Sequence, residues 1–173
     1  MNDVVSLKDK FILDACCGGK MFWYNKTHPK VLYVDKRIAE KGHNPYRTNH
    51  EVKPDLVMDF RKLDLPSNSF KMVVFDPPHF KSNKDTLNMA KLYGTLNPKT
   101  WKEDLKQGFN ECMRVLELNG FLVFKWNESS ISIKEILTLF PIEPLFGNKQ
   151  GTKLNTHWIV FMKEDKWLGG NSK

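Results

Sequence analysis

The chain of 173 residues is 40% hydrophobic and 27% charged, and its formal net charge at neutral pH is +7. These fractions are typical of a globular domain, and no uncharged apolar run is long enough to cross a bilayer, so we exclude a membrane protein. The length favours one domain spanning residues 1–173, with a core that needs neither disulfides nor metal ions. The first residues lack the basic, apolar and small-residue order of a signal peptide, which favours a cytoplasmic protein.

The cysteines and the basic residues limit the possible partners. Cys16 and Cys17 are adjacent and Cys112 is distant, a spacing that fits neither a disulfide framework nor a zinc ligand set. Reduced thiols and no metal site are therefore predicted. Lysine supplies most of the positive charge, which favours nucleic acid as a partner or simply keeps a small protein soluble.

Short apolar segments alternate with polar or helical stretches and are predicted to be strands. They lie at residues 11–15, 31–34, 56–58, 72–75, 121–126 and 158–162. Their nearly continuous apolar character predicts an α/β fold, with a mostly parallel sheet covered by helices on each side. Apolar residues at three- and four-residue spacings predict a helix over 99–118 that ends at Asn119 and Gly120. A shorter helix over 133–140 and a weak strand over 141–146 are predicted after it.

The first predicted strand runs into a glycine turn. Asp14 lies near the end of this strand, and Gly18 and Gly19 follow it. Glycines at this place permit unusual backbone angles and the close approach of a ligand. Asp35 ends the second strand, 21 residues after Asp14, a distance at which an acid in a doubly wound fold can bind ribose hydroxyls. Together, the turn and the acid predict a site for a nucleotide-like ligand.

A second candidate motif, Asp76-Pro77-Pro78-His79, directly follows the predicted strand over 72–75. It should lie at the carboxyl edge of the sheet, where open α/β folds bind ligands. The prolines stiffen the turn and have no N–H to donate, so the turn presents acceptors. A carboxylate and a carbonyl held close together can accept both protons of an exocyclic amine. The ring of His79 can stack on a planar base.

The segment over residues 13–19 resembles the first motif of class I S-adenosylmethionine-dependent methyltransferases, in which an acid precedes a glycine-rich turn. Lys20 stands where the last glycine of that motif is expected. The resemblance implies that S-adenosylmethionine is the cofactor, with Asp35 holding its ribose and Asp59 facing its adenine. The residues that it assigns to cofactor binding are Asp14, Cys16, Gly18, Asp35 and Asp59.

The proline motif resembles the fourth motif of amino-methyltransferases that act on exocyclic amines of nucleobases. Enzymes that methylate protein glutamine carry asparagine where Asp76 stands, and His79 replaces the commoner tyrosine or phenylalanine. The resemblance extends to residues 119–125 and 156–161 and implies a single Rossmann-like, doubly wound domain whose seven-stranded sheet has an antiparallel last strand. It implies methyl transfer to a base amine in DNA or RNA, with a catalytic centre formed by Asp76, Pro77, Pro78 and His79.

Residues 80–98 form a long connection after this motif and are predicted to recognise the substrate. Lysines that can face phosphates occur there beside rings that can stack on bases. The predicted substrate-binding residues are His79, Phe80, Lys81 and Lys84. Two alternatives stay open: a small-molecule or protein-amide methyltransferase, and a non-catalytic nucleic-acid-binding module on a degenerate methyltransferase fold, suggested by Lys20 and His79.

Two further groups of residues lie near these motifs. The aromatic run over 21–24 either packs in the core or covers the cofactor, and core packing is favoured. Lys125, Trp126 and Asn127 end the fifth predicted strand beside the proline motif. They can contact the substrate, although core packing is favoured for Trp126.

Overall fold

The computed structural model describes residues 6–84, 88–150 and 155–165, without the side chains of residues 148–150. In chain order the strands are β1 (Ile12–Asp14), β2 (Val31–Asp35), β3 (Leu56–Val57), β4 (Phe70–Phe75), β5 (Leu116–Asn127), β6 (Phe146–Gln150) and β7 (Thr156–Met162). The helices of the described residues are α1 (Asn88–Tyr93), α2 (Trp101–Val115) and α3 (Ile133–Leu137). None of these helices is long and apolar enough to cross a membrane.

The strands form one seven-stranded sheet in the order β3-β2-β1-β4-β5-β7-β6. Neighbours from β3 to β5 are parallel, and β7 is antiparallel to both β5 and β6. The predicted α/β fold, with a mostly parallel sheet and an antiparallel last strand, is confirmed. The chain builds outward from β1 in one direction and from β4 in the other. The carboxyl ends of β1 and β4 therefore flank a topological switch point, where folds of this kind bind ligands.

The main hydrophobic core lies on one face of the sheet. Helix α2 packs on this face through Leu105, Phe109 and Met113, which meet Val73 and Phe75 of β4. All five side chains are fully buried, and each such burial stabilises the fold by about 1.5–3 kcal/mol. Helix α2 thus holds strand β4 in place on one face, and this fixes the position at which the turn beginning at Asp76 leaves the sheet.

The opposite face departs from the prediction of helices on each side. Over β1 and β2 it holds a small cluster of Cys17, Val31 and Tyr33, against which Trp23 packs. The connections over residues 16–30 and 36–55 form turns rather than helices in this part of the structure. Prolines and glycines interrupt both connections, which leaves only short runs that could form a packed helix.

The predicted end of the long helix is wrong. Helix α2 ends at Val115 and β5 begins at once, whereas the predicted helix continued to residue 118. Asn119, with φ 63°, lies within β5, where the register shifts between the pairs Phe70–Leu116 and Met72–Phe121. The Asn-Gly pair therefore marks an irregularity in a strand and not a helix end, because both uses favour the same left-handed conformation.

The third helix and the sixth strand also differ from their predictions. Helix α3 is shorter than the predicted 133–140: it ends at Leu137, and residues 138–140 form a turn before Pro141. The weak strand predicted over 141–146 is wrong, since β6 runs over Phe146–Gln150. Prolines at 141 and 144 cannot donate to a sheet ladder, so pairing with β7 starts only beyond them.

Candidate active site

A cavity of about 460 Å³ opens at the carboxyl edge of the sheet, beside the switch point. Its size lies within the roughly 300–1,000 Å³ that small-molecule sites occupy. The turn after β1 contributes residues 16–19, the turn after β4 contributes residues 76–79, and the end of β5 contributes Lys125 and Asn127. Helix α1 adds Tyr93 from the fourth side. The two motifs of the sequence therefore meet around one space.

The glycine turn is held by Asp35. Gly18 has φ 49°, and its N–H donates to Asp35 Oδ2 at 2.8 Å. The other carboxylate oxygen accepts from the backbone N–H of Arg37 at 2.9 Å and from its Nε at 3.2 Å. Asp35 is 4% exposed and does not belong to the described cavity wall. In this arrangement it fixes the turn and Arg37, and its role in ribose binding stays a prediction.

Lys20 takes the left-handed backbone conformation that favours glycine. Its φ is 53°, and its N–H donates to the carbonyl oxygen of Cys17 at 2.8 Å. A left-handed conformation costs a side-chain-bearing residue about 1–2 kcal/mol. The Lys20 ammonium lies 4.1 Å from the centre of the Tyr33 ring, and this cation–π contact offsets part of that cost. The departure from the glycine motif thus leaves the turn intact.

Asp14 lies behind the cavity wall and is completely buried. Its Oδ2 accepts from Trp23 Nε1 at 2.7 Å, and its Oδ1 accepts from the N–H of Cys16 at 3.4 Å. Burial raises the pKa of Asp14 to about 7, and the nearby carboxylates add to the rise while the Trp23 hydrogen bond opposes it. The side chain is therefore poised to gain or lose a proton near neutral pH.

The catalytic candidate Asp76 forms an ion pair with Lys125. Because Phe75 of β4 pairs with Phe124 of β5, the next residues along the two strands lie side by side. Lys125 Nζ is 2.6 Å from Asp76 Oδ2, and the two side chains are 24% and 19% exposed. The ammonium also lies 5.6 Å from the centre of the Phe22 ring. One carboxylate oxygen is thus fixed, while Oδ1 accepts no hydrogen bond from any described residue.

His79 presents a flat, partly buried ring beside Asp76. Its ring centre lies 6.4 Å from that of Tyr93 and 6.2 Å from that of Trp126. Burial lowers the pKa of His79; the negative charge of Asp76 opposes this shift, and Lys125 adds to it. The ring is therefore neutral at neutral pH, which suits contact with an uncharged base better than an imidazolium would.

Several predicted site residues lie away from the cavity. Asp59 pairs with Arg61 at 2.6 Å and is not among the described lining residues. Phe80, Lys81 and Lys84 are also absent from that wall. Lys81 places its ammonium 5.2 Å from the centre of the Trp101 ring. The cofactor and substrate roles of these residues stay predictions.

The aromatic run after the glycine turn divides between the proposed roles. Met21 and Phe22 line the cavity, and the Phe22 ring meets Trp158 edge to face at 5.5 Å. Trp23 packs behind the wall, and Tyr24 is fully exposed. Core packing is therefore wrong for most of the run. Trp126 is completely buried, which confirms its predicted place in the core.

The sequence did not identify Arg37 as functional, and it identified Lys125 only in part. Arg37 lines the cavity between the glycine turn and the proline turn, and Lys125 was predicted only as a possible substrate contact. The position of Lys125 could have been found from the strands, since both it and Asp76 immediately follow a run of paired apolar residues. Arg37 gave a weaker signal, because only its place two residues after Asp35 pointed to the site.

Comparison with known proteins shows the fold. No protein-family model matches the sequence, and no curated protein matches it. Among solved structures, the chain has the fold of S-adenosylmethionine-dependent methyltransferases.

Three of the solved structures that match this chain illustrate the likeness. A protein from Pyrococcus horikoshii is 17% identical, with a TM-score of 0.57 over 91% of this chain and 83% of that one. An S-adenosylmethionine-dependent methyltransferase from Methanosarcina mazei is 13% identical, with a TM-score of 0.56 over 90% and 93%. Geranyl diphosphate methyltransferase in complex with S-adenosylmethionine is 11% identical, with a TM-score of 0.51 over 92% and 79%. At these identities the likeness defines the fold, and the reaction has to be argued from the site.

Proposed function

We propose that this protein transfers a methyl group from S-adenosylmethionine to an exocyclic amine of a base in DNA or RNA. The observation that carries the proposal is the shared cavity: Asp76 and His79 face the same space as the glycine turn over residues 16–19. A transferase must bring its donor and acceptor into one site. The carboxylate of Asp76 suits the protons of an uncharged amine, and the neutral ring of His79 suits the planar base that carries it.

The turn after β1 fits the proposed cofactor. Gly18 takes a positive φ, and a side chain at Gly19 would collide with the ring of His50. Gly18 and Gly19 both line the cavity, and without side chains their backbone can be approached closely by a ligand. Residues 16–19 would hold the cofactor there, with Phe22 against it. When bound, S-adenosylmethionine supplies an electrophilic methyl group on a sulfonium.

The acceptor half would orient the amine. The free oxygen of Asp76 and a carbonyl of the proline turn would accept the two amine protons, which turns the nitrogen lone pair toward the donor. Lys125 holds the other oxygen of Asp76, so the carboxylate enters the reaction already positioned. The neutral ring of His79 would stack on the base. As the nitrogen gains a methyl group it must lose a proton, which the Asp76 carboxylate would accept.

The direct test is transfer of a radiolabelled methyl group from S-adenosylmethionine to total DNA, total RNA and bulk protein. Label in one of the nucleic acids is expected, and Asp76→Ala should reduce it at least about 100-fold, since positioned proton acceptors contribute on that scale. Asp64→Ala is the matched control, because Asp64 is an exposed acid outside the cavity. Full activity of Asp76→Ala would contradict the proposed role.

A small-molecule acceptor is the second candidate. The limited volume of the cavity favours it, and a structural neighbour acts on geranyl diphosphate, as its name states. The same assay separates the candidates when a small-metabolite extract is added as a fourth acceptor. Label confined to the extract would favour this candidate, and label in bulk protein would favour an amide. Binding of S-adenosylhomocysteine without transfer to any acceptor would favour a non-catalytic module.

A further inference from the structure

Arg37 places its guanidinium between the two halves of the cavity. A Cβ atom built on Gly18 would lie 3.8 Å from Nη2 of Arg37, and one built on Gly94 would lie 3.6 Å from its Cζ. The same position on Gly94 is 3.2 Å from Cγ of Pro78. The guanidinium therefore lies near Gly18 of the glycine turn, and Gly94 is close to both the guanidinium and Pro78 of the proline turn.

The hydrogen bonds of Arg37 leave the two terminal nitrogens of its guanidinium, Nη1 and Nη2, free to bind a ligand. Nε donates to Asp35, and within the described part of the chain neither Nη1 nor Nη2 makes a hydrogen bond. The side chain is only 24% exposed and lines the cavity. A guanidinium offers five N–H donors in a fixed plane, and its two terminal nitrogens match a two-oxygen acceptor. Phosphate and carboxylate are the groups with that geometry.

The charges nearby favour a phosphate that arrives with the acceptor. A second cavity of about 400 Å³ lies on the other side of the glycine turn. Three lysines line it against two acids: Lys20, Lys26 and Lys53, against Glu51 and Asp55. Arg37 approaches Gly18, which lines both cavities, and it lines the first cavity together with Asp76. A polyanion lying along the surface would bring a phosphate to the guanidinium as its base reaches Asp76.

We propose that the terminal nitrogens of Arg37 bind a phosphate of the acceptor nucleotide while its base lies against Asp76 and His79. This inference rests on the proposed function and adds that the acceptor is recognised as a phosphorylated unit. Asp35 acts in support, because its bond to Nε sets the direction of the fork.

The test compares nucleosides with nucleotides by calorimetry in the presence of S-adenosylhomocysteine. The probes are adenosine, cytidine and guanosine, each beside its 5′-monophosphate. The wild-type protein should bind at least one monophosphate about tenfold or more tightly than its nucleoside, as a charge-assisted hydrogen-bond pair provides. Arg37→Gln should reduce this preference to within about twofold. Arg47→Gln, an exposed arginine of the same loop that does not line the cavity, should keep it.

Two controls show whether Arg37→Gln loses the phosphate preference only because it unfolds or because it loses a positive charge. Thermal unfolding shows whether Arg37→Gln is folded, and Arg37→Lys retains a cation near Asp35 without the planar fork. The lysine variant should lose most of the preference. If it keeps the full preference, or if Arg47→Gln loses as much as Arg37→Gln, general charge rather than a phosphate subsite is responsible and the proposal is overturned.

A third arm addresses the other source of an oxyanion, the carboxylate of the cofactor. The affinities of S-adenosylhomocysteine and of 5′-methylthioadenosine, which has no carboxylate, are compared in the wild type and in Arg37→Gln. A loss confined to S-adenosylhomocysteine, with the phosphate preference unchanged, would overturn the proposal. Equal binding of nucleosides and nucleotides by the wild type would do the same. These readouts need no turnover, so they stand apart from the transfer assay that decides the proposed function.

Discussion

At the proposed catalytic centre, Lys125 holds Asp76 through a contact of 2.6 Å. The pair lies partly buried between two strands, where a charged hydrogen bond is stronger than on an open surface. Its effect on the proposed reaction is positional, because the ammonium fixes one oxygen of the carboxylate and leaves the other for the acceptor.

Replacing Lys125 by methionine should lower kcat about 10- to 100-fold, because the carboxylate loses its fixed orientation. The affinity for S-adenosylhomocysteine should stay within about twofold, since the cofactor turn is formed by other residues. In an Asp76→Asn background the same substitution should have little further effect. A double-mutant cycle on kcat/KM measures this coupling, and independent, additive losses would show that Lys125 acts without Asp76.

Asp14 links the site to the stability of the fold. An aspartate has an ordinary pKa of 3.8, and burial raises the pKa of Asp14 to about 7 in the folded protein. Between these values the unfolded chain loses a proton that the folded chain keeps. The free energy of unfolding is therefore highest, as far as Asp14 is concerned, below about pH 4, where this side chain is protonated in both states. It falls as the pH rises through 7, because the buried carboxylate must then be ionised in the folded protein.

Asp14→Asn should therefore remove a pH-dependent penalty. Between pH 4.5 and pH 8 the free energy of unfolding of the wild type should fall relative to that of the variant, by up to about 3 kcal/mol. Urea unfolding at both pH values measures the difference, with the exposed Asp64→Asn as control. Parallel pH dependence of the wild type and Asp14→Asn would mean that Asp14 titrates normally.

At the scale of the elements, a glycine of α2 allows the helix to pack closely on β4. A Cβ atom on Gly108 would lie 2.5 Å from Cδ2 of Phe60 and 2.8 Å from Cζ of Phe75. Gly108 thus lets the helix approach the ring that directly precedes Asp76. The helix accepts the lower propensity of glycine because the close packing requires it.

Gly108→Ala should destabilise the protein by about 1–3 kcal/mol, although alanine is the better helix former. The methyl group would push Phe75 and β4 away from the helix, so we also expect reduced transfer activity. Thermal unfolding and the transfer assay measure the two effects. Lys106→Ala, an exposed position of the same helix, should leave both unchanged, and an unaltered or more stable Gly108→Ala would contradict the packing.

For the whole molecule, the sequence predicted the sheet and the shared edge at which the two motifs lie. It did not predict which side chains contact those motifs. Apolar runs indicated the strands, because a parallel sheet buried on both faces leaves that pattern. Asp76 and Gly18 could be placed at one edge because each follows a strand. The contacts of Lys125 and Arg37 depend on register and on the path of turns, which local sequence does not determine.

The helix and loop predictions failed for a related reason. The connection over 16–30 folds as turns whose aromatic side chains are divided between the cavity, the space behind it and solvent. Composition alone reads such a run as core. The Asn-Gly pair in β5 was ambiguous in the same way, because only the pairing with β4 distinguishes a strand irregularity from a helix end.

The atom that receives the methyl group tests the proposed function most directly. Nucleic acid methylated by the wild-type protein can be digested to nucleosides and analysed by mass spectrometry, with Asp76→Asn in parallel. The structure predicts a nucleoside methylated on an exocyclic nitrogen, at a level at least about 100-fold lower with the variant. Methylation on a ring carbon or on the ribose, or equal product with Asp76→Asn, would contradict the role assigned to the Asp76 turn.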